Sequence, residues 1–265
     1  MRSLKRTAKL FTRVASQGWV TADGITGNLR ALGVRSGTTL LVHSSLSSLG
    51  FVVGGAEAVV RALLSAIGPD GTLVLPTHTW DRSGRGDFTF DVRHTPSCVG
   101  AITEAFRTMS GVTRSLHPTH SVAAIGPGAI SLTEAHELST TPCGEGTPYT
   151  KLIQEQAQIL FLGTTLDQNT IYHSLESLAQ MPYLMRHDDE SFTTTDWIGT
   201  TRVARFRRHQ RGPDRNFAAT QGVLEAHAIL RKGRVAASDS LLVECAPMAG
   251  LVLELLRKNP RYLLQ

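Results

Sequence analysis

From Thr38 to Ser44 the chain reads TTLLVHS, a short run rich in Leu, Val and Thr that predicts a buried strand. A loop of small residues, SLSSLGFVVGG, follows it. The apolar positions Ala56, Val59, Val60, Leu63, Leu64 and Ile67 then recur at the three- and four-residue steps of an amphipathic helix, which Gly68, Pro69, Asp70 and Gly71 end. TLVLPT reads as a second strand, so residues 38–77 form a βαβ unit with parallel strands and a right-handed crossover. In such sheets ligands bind beyond the carboxyl ends of the strands, which here carry His43 to Ser48 and Thr77 to Asp81.

The alternation continues with a helix near Gly100 to Met109, a strand near Ser121 to Ile125, a helix at Tyr149 to Gln156, a strand at Gln158 to Gly163 and a helix from Asp167. Antiparallel strands follow around Ser191 to Arg207, then a helix from Asn216 to Arg231 and a closing helix from Val243 to Lys258. The expected fold is a three-layer α/β/α sandwich with a mostly parallel central sheet and an additional antiparallel C-terminal portion. No repeat and no linker rich in Pro, Gly or Ser divides it, so residues 1–265 read as a single domain.

Composition narrows the class. With 41% apolar and 18% charged residues the chain is not a disordered one. Cys98, Cys143 and Cys245 lie far apart, form no CxxC pair and suit a reducing, cytoplasmic setting. No apolar run reaches the roughly 20 residues of a membrane span. The first twenty residues are basic and free of acids, and Lys5, Lys9 and Arg13 share one helix face; we expect a helix lying on the domain rather than a transit peptide.

The formal charge of +5 suits an anionic partner, either nucleic acid or a phosphorylated cofactor. TRVARFRRHQRGPDR could serve nucleic acid, but only Phe206 is there to stack on bases, and an exposed strand with alternating arginines accounts for it as well. Asp188, Asp189 and Glu190 form either a solvated loop or a contact for a cationic substrate. No histidine sits in HExxH and the cysteines supply no paired ligand set, so no metal is expected.

Three segments carry chemistry. In QILFLGTTLDQNTIYHSLESLAQ a strand turns into a helix whose expected N-cap is Asp167, with Thr170, His173 and Glu176 along one face. The positive end of the helix dipole disfavours an imidazolium, so a histidine there is suited to accept a proton, and Glu176 could fix its tautomer. Spacing alone nevertheless fits a packed or surface histidine at least as well. TRSLHPTHSVAAIG offers Arg114, Ser115 and His117 before a strand, suited to a phosphate or simply a solvated turn. VHSSLSSLG offers Ser44, Ser45 and Ser47, small enough for a ligand to approach the backbone, but it lacks the GxSxG elbow of a serine nucleophile.

Taken together and in order, LRALGVRSGTTLLVHSSLSSLG, GGAEAVVRALLSAIGPDGTLVLPTHTWD, FDVRHTPSCVGAITEAFRTMSGVTRSLHPTHSVAAIG and CGEGTPYTKLIQEQAQILFLGTTLDQNTIYHSLE resemble the aminoglycoside 3-N-acetyltransferase family, which is distinct in fold from the GCN5-like acetyltransferases. DRNF and the C-terminal helix resemble it more faintly. The resemblance implies that acetyl-CoA is the co-substrate, that a small amine, the 3-amino group of an aminoglycoside, is the acceptor, and that antibiotic resistance follows. It implies catalytic roles for Asp167, Thr170, His173 and Glu176 of DxxTxxHxxE, with His173 as base and Asp214 of DRNF as an acidic support. It further implies coenzyme contacts at Ser44, Ser45, Ser47, Arg114, Ser115 and His117, and an amine side at Asp81 and Glu104. Thr147 stands where the family often has serine. The net positive charge sits awkwardly with a polycationic acceptor, so a same-family acyltransferase for another amine, such as a natural-product intermediate, is the alternative. A noncatalytic nucleic-acid-binding protein is the alternative from another class. A homodimer fits the sequence, but no segment specifies one.

Overall fold

The computed structural model describes residues 18–80, 89–210 and 212–264. Its strands are β1 (Trp19–Val20), β2 (Thr39–Ser44), β3 (Phe51–Val52), β4 (Thr72–Pro76), β5 (Thr89–Asp91), β6 (Thr113–Arg114), β7 (Val122–Ile125), β8 (Gln158–Leu162), β9 (Met185–Thr195), β10 (Thr201–His209), β11 (Leu230–Val235) and β12 (Ser238–Glu244). Its helices are α1 (Ala22–Leu32), α2 (Gly55–Ile67), α3 (Ala101–Arg107), α4 (Ala129–Thr133), α5 (Pro148–Gln154), α6 (Ile171–Leu178), α7 (Gln221–Ala226) and α8 (Cys245–Lys258).

A seven-stranded sheet of order β11-β12-β8-β2-β4-β7-β6 forms the middle layer. The parallel pairing lies at its centre, β8-β2-β4, and the flanking pairs are antiparallel. Side-chain alternation divides the apolar residues between two cores. Leu40 and Val42 of β2, Leu73 and Leu75 of β4, and Leu160 and Leu162 of β8 meet α1, α2 and α3 on one face. Leu41, Val74, Ile159 and Phe161 meet α5, α6 and α8 on the other. Burying each such side chain contributes about 1.5–3 kcal/mol, so the three central strands are the most firmly held part of the sheet. Their carboxyl ends are where a site can be built with little play.

The expected elements recur with shifted ends. The predicted helix from Asn216 to Arg231 shortens to α7, and Leu230–Val235 becomes an edge strand of the main sheet. Its hairpin partner β12 is reached through a turn that holds Ala236 at φ 53°, a left-handed conformation that Gly or Asn ordinarily marks. The antiparallel pair β9 and β10 is longer than expected and stands in a separate three-stranded sheet, where β9 also pairs in parallel with β5. Arg207 faces Asp189 at 3.7 Å, and Arg208 and Arg186 both pair with Glu190, so the arginine-rich strand is partly neutralised by its acidic neighbour. The predicted N-terminal helix lies, for residues 1–17, outside the described residues. Among those described, no helix is long and apolar enough to cross a membrane.

Candidate active site

A cleft of about 430 Å³ opens over the carboxyl ends of β2, β4 and β8. Ser44 and Ser45 line it from β2, Pro76 and His78 from β4, Thr164 from β8, and Asp167, Thr170 and His173 from the turn into α6. Asp167 is not the cap of that helix. It sits in a 3-10 turn over Leu166–Gln168, because the Asn169 side chain accepts the Ile171 N–H at 3.1 Å and delays the helix start to Ile171. Asp167 instead accepts the Ala218 N–H at 2.9 Å, tying the loop before α6 to the turn before α7. Thr170 takes the cap position and His173 falls in the first helical turn, with its backbone N–H on Thr170 O.

Glu176, one turn further, is fully buried, and its two oxygens are divided between two partners. Oε2 lies 2.7 Å from His173 Nδ1, and Oε1 accepts from Arg215 Nε at 3.3 Å. A carboxylate has no proton to give, so Nδ1 is the protonated nitrogen and the lone pair is on Nε2. A buried carboxylate without partners would be costly; here the guanidinium carries the charge balance while the imidazole is oriented. The ring is packed by His209 at 4.5 Å between centroids and by the edge of Phe217 at 5.3 Å, and it keeps 23% of its side-chain surface exposed. The imidazole is thus held in place and still reached from the cleft.

The remaining histidines near the cleft are kept neutral by burial. Desolvation pulls His43 and His78 down to about 3, and takes His120 and His209 well below the ordinary imidazole value. His43 stacks on Phe161 at 5.3 Å, and His78 Nε2 meets the Tyr149 hydroxyl at 2.7 Å. His43, His78 and His120, which line the cleft, therefore carry no charge at neutral pH.

A second cleft of about 810 Å³ shares Thr164 with the first and runs past Ser48, Gly163 and Thr165 to Lys232, Arg234 and Ser240 of the β11–β12 hairpin. Ser48 Oγ shares its one proton between Ser45 O at 2.8 Å and Gly163 O at 2.9 Å, and so clamps the ends of β2 and β8 together.

The model of the family described as aminoglycoside 3-N-acetyltransferase matches residues 41–257, from β2 through α8. The chain belongs to the aminoglycoside 3-N-acetyltransferase family. It is 30% identical over 261 residues to aminoglycoside N(3)-acetyltransferase IX of Micromonospora chalcea, covering 88% of this chain and 92% of that one. It is 38% identical over 179 residues to aminoglycoside N(3)-acetyltransferase III of a Salmonella species, a match spanning 61% of this chain and only 62% of that relative's length. The solved aminoglycoside acetyltransferase AAC(3)-Xa superposes with a TM-score of 0.81 at 30% identity, over 95% of this chain and 96% of that one. The AAC-IIIb enzyme in binary complex with CoASH superposes with a TM-score of 0.80 at 27% identity, over 91% and 97%.

Within this family member the residues singled out from sequence fall into three groups. Asp167, Thr170, His173, Ser44 and Ser45 meet in the first cleft, with Glu176 directly behind His173 and Ser47 one hydrogen bond from Ser45, at 3.1 Å. Arg114, Ser115 and His117 do not join them. Arg114 is 2% exposed, its guanidinium spent on Thr77 O, Thr95 O, Thr77 Oγ1 and Ser121 Oγ and laid over the Phe90 ring. Ser115 binds His136, and His117 is walled in by His136 and Phe206, so these three hold the frame. Asp214 is exposed, and it is the next residue, Arg215, that reaches Glu176. Glu104 turns to Arg107 on its own helix and to the Ser97 N–H, away from the cleft lining. Asp81 lies outside the described residues.

Sequence reasoning missed Arg215, His209, Phe217 and the whole second cleft. Arg215 and Phe217 flank Asn216 in the DRNF segment already noted, which was the available signal. The hairpin of the second cleft had none, because its turn is built on alanine.

Proposed function

We propose that this protein transfers the acetyl group of acetyl-CoA to an amine, the 3-amino group of an aminoglycoside, and so confers resistance to it. Carrying this reading is His173, whose Nδ1 is held by the buried Glu176 while Nε2 is left as base in a cleft at the ends of the parallel strands. Membership of the acetyltransferase family supports the same reaction.

The acceptor enters as a neutral amine, since an ammonium has no lone pair. Its nitrogen attacks the thioester carbonyl carbon, and His173 Nε2 takes the proton the nitrogen sheds. Glu176 stabilises the imidazolium so formed. The tetrahedral species collapses with cleavage of the C–S bond, and the coenzyme thiolate leaves with the proton returned from His173. Base assistance of this kind is typically worth roughly two to four powers of ten, and orientation of the two substrates in one cleft supplies much of the rest. Thr164 stands where the two clefts meet and Ser44 and Ser45 line the first, suited to the pantetheine arm, while the larger cleft with Lys232 and Arg234 suits the phosphorylated nucleotide. The reaction belongs in the cytoplasm, where acetyl-CoA is available.

A second acceptor class is favoured by one observation. Among the described lining residues of the first cleft the only carboxylate is Asp167, a sparse complement for a polycation. A less charged amine of a natural-product intermediate fits that lining. Both readings are tested by following acetylated product by mass spectrometry with a panel of aminoglycosides and monoamines, beside His173→Ala. Aminoglycoside turnover lost in His173→Ala is the expected result. Turnover with monoamines alone selects the second acceptor, and undiminished turnover by His173→Ala removes the mechanism.

A further inference from the structure

Behind the catalytic histidine lies a nest of imidazoles that the acetyl transfer does not use. His209 packs against His173 with the rings tilted by 43°, His120 meets His209 edge-on at 5.0 Å, and His117 and His78 lie beyond His120. Cys143, a buried free thiol, completes one corner of it. Donor atoms of His120, Cys143 and His209 all lie within 4.8 Å of one another. They come from three distant segments: the loop before β7, the loop before α5 and the end of β10. No spacing motif could have revealed them.

We propose that His120, Cys143 and His209 form a binding site for a soft divalent cation of the zinc class, and that its occupancy inhibits the transferase by placing positive charge beside His173. The donor set has the chemistry for it, two imidazoles and a thiolate being among the commonest zinc ligands, with a fourth position open to water. Tetrahedral bonds of about 2.0–2.3 Å place donor atoms about 3.3–3.8 Å apart, so the trio must draw in by roughly 1 Å, a movement within reach of side-chain rotation. His120 has its Nδ1 on the Thr119 hydroxyl at 2.8 Å, the outer contact that orients a ligating imidazole and leaves Nε2 for the ion. His209 makes no hydrogen bond through its ring among the described contacts, which leaves its ring nitrogens open to a ligand. Entry is through the catalytic cleft, whose lining includes His120. On binding, the Cys143 thiol gives up its proton to solvent and the sulfur becomes a thiolate ligand.

Inhibition follows from position. The His209 ring is 4.5 Å from that of His173, so a dication on His209 opposes the imidazolium that must form as the amine is deprotonated. That consequence rests on the role of His173 proposed above, whereas the binding itself does not, and the test separates the two. The full chain is titrated with Co²⁺, and the thiolate-to-cobalt charge-transfer absorption is followed, with Zn²⁺ as competitor. In parallel, acetylated product is measured against added Zn²⁺. A one-equivalent band displaced by Zn²⁺ and lost in Cys143→Ala is expected, together with an inhibition midpoint roughly tenfold or more higher in Cys143→Ala and unchanged metal-free turnover. Absence of the band in the wild-type protein, or its persistence in Cys143→Ala, overturns the site. A normal band with no effect of Zn²⁺ on turnover overturns the inhibition alone. If no amine is acetylated at all, the cobalt titration still decides the site. Should Cys143→Ala fold poorly, His209→Asn read by cobalt absorption serves instead, with loss of the band expected and its persistence refuting the proposal.

Discussion

Replacing Glu176 by glutamine keeps the shape of the side chain and removes its charge, which isolates what the carboxylate contributes to the transfer step. In the resting protein the 2.7 Å contact to His173 Nδ1 is a hydrogen bond to a fully buried acceptor. As the proton arrives on Nε2, that contact becomes one between an imidazolium and a carboxylate. A charge-assisted bond of this kind contributes about 1.5–3 kcal/mol, against about 1 kcal/mol for a neutral one. The amide can still accept from Nδ1, so binding of either substrate should change little. The loss therefore falls on the transition state, and the difference of about 0.5–2 kcal/mol corresponds to a roughly 2- to 30-fold fall in kcat. The Arg215 guanidinium, 3.3 Å from Oε1, is left without its buried counter-charge and should weaken the fold as well. Initial rates of acetylated product over a range of both substrates, with urea unfolding of the same preparation, separate these effects. A Glu176→Gln protein that is folded and retains the full wild-type kcat would refute the assigned role of the carboxylate.

Other consequences can be measured directly. Burial holds His43, His78 and His136 near 3 in the folded chain, while in the unfolded chain they titrate near the ordinary 6.5. Between those values only the unfolded state takes up the protons, so stability falls as pH drops below about 6.5, by up to about 4 kcal/mol per pH unit for the three together; urea midpoints that stay level from pH 7 to pH 5 would contradict this. Arg114→Met strands the buried carbonyls of Thr77 and Thr95, and a loss of about 3 kcal/mol in unfolding free energy is expected with the acetyl-CoA KM unchanged. A raised KM in a protein of normal stability would instead return Arg114 to the coenzyme. In Gly163→Ala the new Cβ would collide with Ser48 Oγ at a backbone φ of +67°. The clamp at the ends of β2 and β8 should open, raising KM for acetyl-CoA and lowering the thermal midpoint by several degrees; unaltered values for both would remove the clamp.

How much of this was legible beforehand depends on whether the controlling interaction is local. The βαβ unit of β2, α2 and β4 could be read from its periodicity because the strands are buried on both faces and the helix is apolar on one side. His173 and Glu176 could be paired because one helical turn separates them. Arg215 is 39 residues from Glu176 and His209 is brought to His173 by a β-hairpin, so neither contact has a sequence signature. Arg114 misled for a physical reason: a guanidinium near a strand end serves an anionic ligand or a set of inward-facing carbonyls equally well. Burial distinguishes these, and burial depends on the β5 segment folding over it through Phe90. The edge hairpin β11–β12 was hidden by its alanine turn, and the second cleft along it was hidden with it.

The pairing of β2 with β8 also bears on how the protein is made. His43 and Ser44 stand opposite Phe161 and Leu162, so the floor of the catalytic cleft joins segments more than a hundred residues apart. The far edge of β8 is in turn covered by β12, with Leu241 opposite Phe161 and Glu244 opposite Gln158. A growing chain on the ribosome thus carries β2 with an unpaired, apolar edge until β8 is made, and β8 with one until β12 is made, the kind of surface that invites association between nascent chains. Closure waits for the last tenth of the sequence. Contacts this remote also slow folding, so the yield of folded protein should depend on translation pace and chaperone supply as well as on the stability of the finished fold.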